Sequence, residues 1–130
     1  MTTQARLLYV DDDEALAFLV RRFLMDAGYA VTVCSAAAEA LQKLTEQQGQ
    51  YDLVMSDIHL PGMSGLEFAR KALSHYPELA VLLLSGFIEP EQQQQAALIG
   101  VRKCMLKPVN IQDLVAATQN LLRPDLSARA

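Results

Sequence analysis

Short apolar segments alternate along the chain with longer segments in which apolar residues recur at helical spacing. The apolar segments predict five buried strands, at Leu7–Val10, Ala30–Cys34, Leu53–Met55, Ala80–Leu84 and Cys104–Leu106. Five helices are predicted from near Asp13 to Gly28, from Ser35 to near Gly49, from about Gly65 to Tyr76, from Pro90 to near Gly100, and from Asn110 to just before Pro124. Strands that alternate with helices favour an α/β fold with a doubly wound parallel sheet.

The ends of the predicted helices carry residues that suit those positions. Ser35 is expected to cap the start of the second helix, and Pro90 suits the first turn of the fourth. Gly28 suits the position just after the end of the first helix. Because the chain has no internal repeat and no linker, we expect one domain over residues 1–130, with its core at about 6–122 and a frayed tail at 123–130.

Composition and charge narrow the class of protein. Hydrophobic residues make up 52% of the chain, which is too many for a disordered protein. The net charge of −4 argues against direct nucleic-acid binding, because contacts to phosphates need a basic surface. No apolar run approaches the length of a membrane span, and the start of the chain is short and polar, so we expect no signal peptide. We therefore expect a cytoplasmic protein that does not insert into membranes.

An acidic cluster, Asp11-Asp12-Asp13, follows the first predicted strand. Crowded carboxylates repel one another, so the site needs a cation, raised pKa values or both. Carboxylate oxygens are hard ligands that suit Mg²⁺. The carboxyl edge of an open parallel sheet is also where such folds bind ligands, which makes this cluster a candidate magnesium site.

Three further polar residues follow predicted strands: Asp57, Ser85 and Lys107. Because the carboxyl ends of parallel strands share one edge of the sheet, these residues are expected to converge with the acidic cluster. The set contains metal-binding acids, a carboxylate nucleophile, a hydroxyl donor and a fixed positive charge. Phosphoryl transfer needs such groups, because the charge of the phosphoryl group must be neutralised and the group must be held in position. The pattern therefore indicates phosphoryl transfer.

Each of these residues alone has an ordinary structural explanation. Asp57 and Ser85 could each be a turn residue, and Lys107 could be a solvated surface lysine. Asp13 and Glu14 are expected only to stabilise the start of the first helix. Their occurrence together at successive strand ends favours the functional interpretation.

The sequence resembles the receiver domain of two-component response regulators from about Arg6 to Leu122. The matching motifs are Val10-Asp11-Asp12, the segment Asp57–Gly65, Ser85-Gly86 and Lys107-Pro108. The resemblance implies a flavodoxin-like fold with a five-stranded sheet of order 2-1-3-4-5. It also implies a cis bond between Lys107 and Pro108.

The resemblance also implies a role for each site residue. Asp57 would accept a phosphoryl group from a histidine kinase or a histidine phosphotransfer protein, and Ser85 and Lys107 would contact the phosphoryl oxygens. Asp12 would ligate Mg²⁺ directly, Asp11 largely through water, and Asp57 and the backbone carbonyl of His59 would complete the protein ligands. The protein would not be an enzyme beyond its own phosphorylation and dephosphorylation.

The sequence departs from the family in the fifth strand. Cys104 stands at the switch position where the family usually has an aromatic residue, and Arg102 and Lys103 replace the usual acidic residues before it. The face formed by the fourth helix, fifth strand and fifth helix is then locally basic, and it could bind a second copy or an output domain. The implied strand order puts Cys34 and Cys104 on opposite sheet edges, roughly 19 Å apart, too far for a disulfide.

Two more hypotheses concern the surroundings of the site. Phe87 and His59 would flank the path of the hydrolytic water, and we expect Phe87 to shield the phosphoryl group. Specificity for the donor is expected on the first helix, near Leu16, Ala17, Val20 and Arg21.

Two other functions are compatible with parts of this sequence. A phosphatase of the haloacid dehalogenase type also uses an acidic motif after its first strand, but Asp57 would then be unexplained. A degenerate receiver would bind a partner without being phosphorylated. The divergent fifth strand favours a receiver from a hybrid histidine kinase or phosphorelay over the N-terminal domain of a regulator.

Overall fold

The computed structural model describes residues 4–107 and 110–122. Five strands alternate with five helices, as the hydrophobic pattern predicts. The elements are β1 (Arg6–Val10), α1 (Glu14–Asp26), β2 (Ala30–Cys34), α2 (Ala37–Glu46), β3 (Leu53–Asp57), α3 (Gly65–His75), β4 (Val81–Ser85), α4 (Pro90–Ile99), β5 (Lys103–Leu106) and α5 (Ile111–Leu122). Pro108 and the tail at 123–130 lie outside the described residues, so the implied cis bond and the frayed tail stay predictions.

The five strands form one parallel sheet in the order β2-β1-β3-β4-β5, which confirms the expected topology. Helices cover both faces, and this is why the strands are apolar along their whole length instead of alternating with polar residues. Cys34 ends one edge strand and Cys104 lies in the other, and both thiols are free.

Two apolar clusters stabilise the sheet, one on each face. Since side chains alternate along a strand, Leu8 and Val10 of β1 face α2, α3 and α4, whereas Leu7 and Tyr9 face α1 and α5. The buried stripe of α1, formed by Ala17, Val20 and Leu24, packs into the second cluster.

The helix ends agree with the sequence in most places, with one correction. Gly28 adopts a φ of 105° just after α1, and α4 begins at Pro90. The prediction that Ser35 caps α2 is wrong: the cap residue is Ala36, which makes no side-chain hydrogen bond. The Ser35 backbone N–H instead donates to the Glu39 carboxylate at 3.0 Å. This contact satisfies the backbone N–H of Ser35, and within the described residues no side chain caps the N–H groups at the start of α2.

Candidate functional site

The register of β1 against β3 brings the acidic residues together. Val10 pairs with Ser56, so the next residues along the two strands, Asp11 and Asp57, leave the sheet side by side. One carboxylate oxygen each from Asp11, Asp12 and Asp57 lie within 4.8 Å of one another. Asp11 and Asp57 are buried, with 1% and 8% of their surface exposed, whereas Asp12 is exposed. A set of oxygen donors that is open to solvent on one side suits a hard divalent cation.

Lys107 supplies the positive charge that compensates the two buried carboxylates. Its Nζ donates to Asp57 Oδ2 at 2.8 Å and to Asp11 Oδ2 at 3.2 Å. Burial lowers the pKa of Lys107, but the hydrogen bond to Asp57 and the charges of both carboxylates outweigh it, so the pKa lies above its ordinary value. The lysine is therefore a fixed cation at neutral pH.

Ser85 lies on the same edge, but its hydroxyl has a local partner. Its Oγ donates to the Phe87 carbonyl at 2.6 Å, and the Phe87 N–H donates back to Oγ at 3.1 Å. The strand end is fixed by a further bond of 2.7 Å from the Lys107 N–H to the Ser85 carbonyl. To reach a group bound at Asp57, the hydroxyl has to leave Phe87.

His59 connects two loops at the edge of the site. Its backbone N–H donates to Asp57 Oδ1 at 3.1 Å, and its ring Nε2 lies 3.5 Å from the Phe87 carbonyl oxygen. Asp57 therefore has one carboxylate oxygen bound by a backbone amide and the other by Lys107. These two contacts fix the plane of the carboxylate.

Asp13 lies apart from the carboxylate group, as the sequence predicts. Its side chain caps α1 by accepting from the Leu16 N–H at 3.1 Å. Its own N–H donates to Asp11 Oδ1 at 3.0 Å.

Tyr9 is a site residue that sequence reasoning treated only as part of a strand. Its hydroxyl donates to Asp11 Oδ2 at 2.9 Å in a buried position. Burial, together with the charge and hydrogen bond of Asp11, raises the pKa of Tyr9 well above its ordinary value, so the hydroxyl remains a donor. The signal was present in the sequence, because residues two apart on a strand lie on the same face.

Cys104 is half-buried and packs against the apolar cluster on the α2, α3 and α4 side. Burial raises the pKa of its thiol. A small thiol therefore occupies the position that the resemblance assigns to an aromatic switch.

The predicted donor surface on α1 needs a correction. Ala17 and Val20 are buried in the core, since they belong to the inward stripe of the helix. Arg21 is exposed and Leu16 is half-buried. Besides charged residues such as Arg21 and Arg22, α1 exposes four large apolar side chains: Phe18, Leu19, Phe23 and Met25.

The fold and this edge together define a receiver-type signalling domain. Comparison with known families matches residues 7–119 to the response regulator receiver domain, and the chain belongs to that family. Among relatives, the two-component response regulator ARR14 of Arabidopsis thaliana is 31% identical over 118 residues, which are 91% of this chain and 31% of that protein. ARR11 of the same plant is 33% identical over 93% of this chain and 23% of its own length. This chain thus spans a third or less of these two relatives.

Solved structures agree with this family. The chemotaxis protein CheY4 of Vibrio cholerae superimposes with a TM-score of 0.84 and 32% identity, over 92% of this chain and 100% of that one. A receiver domain protein of Methanospirillum hungatei gives a TM-score of 0.87 at 30% identity, over 92% of this chain and 94% of that one. Within residues 4–107 and 110–122, every helix is too short or too polar to cross a membrane.

Proposed function

We propose that the chain is a Mg²⁺-dependent phosphoacceptor switch, which receives a phosphoryl group on Asp57 from a histidine kinase or a histidine phosphotransfer protein. One observation carries the proposal: Lys107 Nζ binds both Asp57 and Asp11, and these two carboxylates and that of Asp12 each have an oxygen within 4.8 Å of the others. A carboxylate nucleophile next to a fixed cation and metal-binding acids meets the electrostatic needs of phosphoryl transfer.

The donor set fits Mg²⁺. All candidate ligands are oxygens, and the exposed Asp12 leaves one side of the site open to water, which Mg²⁺ usually retains. Asp12 and Asp57 would hold the ion directly, with Asp11 acting largely through water and the His59 carbonyl as the remaining protein ligand. When bound, the ion would offset the negative charge of the phosphoryl oxygens.

The transfer step uses residues that already face one another. An oxygen of Asp57 attacks the phosphorus of a phosphohistidine whose other ring nitrogen carries a proton. The new O–P bond forms as the P–N bond breaks, and the ring leaves as neutral imidazole. Lys107 stays protonated and stabilises the phosphoryl oxygens, and the Ser85 hydroxyl leaves the Phe87 carbonyl to donate to one of them.

The apolar outer face of α1 supports a protein donor. Phe18, Leu19 and Phe23 are about half exposed or more, on a helix that begins directly after the acidic edge. A donor helix that covers these side chains would bring its phosphohistidine to Asp57. Leu19→Glu should therefore slow transfer from a phosphotransfer protein that phosphorylates the wild type, while transfer from acetyl phosphate stays unchanged.

The face of α4, β5 and α5 is the proposed output surface. Leu98 of α4 and Leu106 at the end of β5 are strongly exposed, and the cations Arg102 and Lys103 at the start of β5 are exposed as well. This mixed apolar and basic surface suits an output domain or a second copy. With Cys104 in place of an aromatic switch, a phosphorelay or hybrid-kinase receiver in the cytoplasm remains our preferred setting.

The two alternatives have less support. A haloacid dehalogenase-type phosphatase would use Asp11 as nucleophile, but Asp11 is almost fully buried, and residues 7–119 match the receiver domain family. In a binding-only receiver, Lys107 would compensate the two buried carboxylates, but the oxygen of the exposed Asp12 within 4.8 Å of theirs would have no role.

The direct test treats wild type, Asp57→Asn and Asp52→Asn with acetyl phosphate, with Mg²⁺ or with EDTA, and measures intact mass. Asp52 is a matched control, because it lies before β3 at the opposite end of the strand, where it accepts from the Arg6 N–H at 2.7 Å. We expect one phosphoryl group on wild type and Asp52→Asn, only with Mg²⁺, and none on Asp57→Asn. Equal labelling of Asp57→Asn would refute the proposal.

A further inference from the structure

Tyr9 has a buried hydroxyl that donates to one carboxylate, that of Asp11. The ring packs in the apolar cluster between the sheet, α1 and α5, where a phenylalanine would fill the same space. A buried hydroxyl costs free energy unless it is hydrogen-bonded, and here the bond goes to Asp11 Oδ2 at 2.9 Å. The packing explains the ring but not the hydroxyl.

Three donors from three parts of the chain fix the Asp11 carboxylate. Oδ1 accepts from the Asp13 N–H at the start of α1, at 3.0 Å. Oδ2 accepts from Tyr9 in β1 and from Lys107 just after β5, at 2.9 and 3.2 Å. Lys107 donates to Asp57 as well as to Asp11. Of the two donors to Asp11 Oδ2, only Tyr9 makes no hydrogen bond to the phosphoacceptor.

We propose that Tyr9 is a positioning residue for the Mg²⁺ site, which it serves by fixing the orientation of Asp11 through its hydroxyl. The proposal rests on the proposed function, because it concerns the affinity of the same acidic site. Without the hydroxyl, Asp11 would rely on Lys107 for its Oδ2 contact and would draw the lysine away from Asp57. Asp11 would act on the ion largely through water, and removal of outer-shell groups of this kind typically changes metal affinity by about tenfold or more.

The experiment measures Mg²⁺ binding by isothermal titration calorimetry, with MgCl₂ as the probe, on wild type, Tyr9→Phe and Tyr51→Phe. Tyr51 is the matched control, because it is also buried but lies before β3 at the opposite end of the sheet. We expect the Kd of Tyr9→Phe to rise about tenfold and that of Tyr51→Phe to stay within twofold of wild type. An unchanged or lower Kd in Tyr9→Phe would overturn the proposal. If wild type itself binds no Mg²⁺, the proposed function fails instead.

Two further readouts separate positioning from a merely structural role. The Mg²⁺ concentration that gives half the maximal rate of phosphorylation by acetyl phosphate should rise in Tyr9→Phe, while the rate at saturating Mg²⁺ recovers. In an Asp11→Asn background, Tyr9→Phe should have no further effect on Kd, because the hydroxyl acts through that carboxylate. A full additive effect in this background would overturn the proposal.

A measurement on wild type keeps the proposal testable if Tyr9→Phe does not fold. With ¹³Cζ-labelled tyrosine, the resonance of Tyr9 should shift during the MgCl₂ titration with the Kd found by calorimetry. The resonance of Tyr51 should stay in place. A Tyr9 resonance that does not respond to Mg²⁺ would contradict the proposed role.

Discussion

The start of α3 lies so close to the end of β3 that one methyl group should disturb both. A Cβ at Gly65 would lie 2.8 Å from the Asp57 carbonyl carbon and from Ile58 Cα, and closer still to the Asp57 carbonyl oxygen. The Gly65 N–H also donates to the Ile58 carbonyl at 2.8 Å. These are backbone atoms, which cannot rotate away as a side chain could.

The size of the effect of Gly65→Ala follows from these distances. Carbon atoms attract each other at roughly 3.5 Å, so the 2.8 Å contacts require the helix and strand to separate by at least about 0.7 Å, and the closer Asp57 carbonyl oxygen requires more. Overpacking of this kind costs typically 1–3 kcal/mol, and a weakened hydrogen bond adds about 1 kcal/mol. We therefore expect the free energy of unfolding to fall by about 3 kcal/mol.

Urea unfolding followed by far-ultraviolet circular dichroism measures this loss, since the chain has no tryptophan. Gly86→Ala is the matched control, because it also follows a strand at the same edge but a Cβ there meets nothing within 4 Å. We expect the control to change stability by less than about 1 kcal/mol. A loss in Gly65→Ala no larger than in the control would refute the reasoning. Because Asp57 would also move, its phosphorylation should slow by up to about a hundredfold.

Three more predictions concern other residues of the sheet edge and the strands. Phe87→Ala should shorten the lifetime of phosphorylated Asp57 several-fold after donor is removed; an unchanged lifetime would mean that the ring does not shield the phosphoryl group. Cys34 is buried, and burial raises its pKa to about 11, whereas Cys104 is only half-buried. Iodoacetamide should therefore alkylate Cys34 much more slowly than Cys104 at pH 8, with the rate of Cys34 still rising up to about pH 11. Comparable rates at pH 8 would contradict this. The contacts that raise the pKa of Lys107 stabilise the fold at pH values below the ordinary lysine pKa of about 10.4. This stabilisation is lost as the pH rises further and Lys107 loses its proton. The difference in the free energy of unfolding between wild type and Lys107→Met should therefore be smaller at pH 11 than at pH 8.

The sheet was predictable because its strands are buried on both faces. Continuous apolar runs such as Val81–Leu84 can only be satisfied between two helical layers, and the residues after them then share one edge. The sequence alone therefore predicts that Asp57 and Lys107 lie close together.

Contacts set by local geometry were not predictable in the same way. The sequence does not show whether Ser35 uses its hydroxyl or its backbone N–H, because that choice depends on the position of Glu39. The orientation of α1 decides that Val20 is buried while Phe18 is exposed, against the usual preference of a large aromatic side chain. Tyr9 could have been identified from its spacing to Asp11, but a tyrosine in a strand usually serves packing.

The most direct test of the account identifies the residue that carries the phosphoryl group. Wild-type protein is phosphorylated with acetyl phosphate and Mg²⁺, then reduced with borohydride, which converts an aspartyl phosphate to homoserine. Peptide mass spectrometry then locates the homoserine. The account predicts it at position 57 and at no other aspartate. Homoserine at position 11, 12 or 13 would contradict the account, because it would show that a residue of the acidic cluster is the nucleophile.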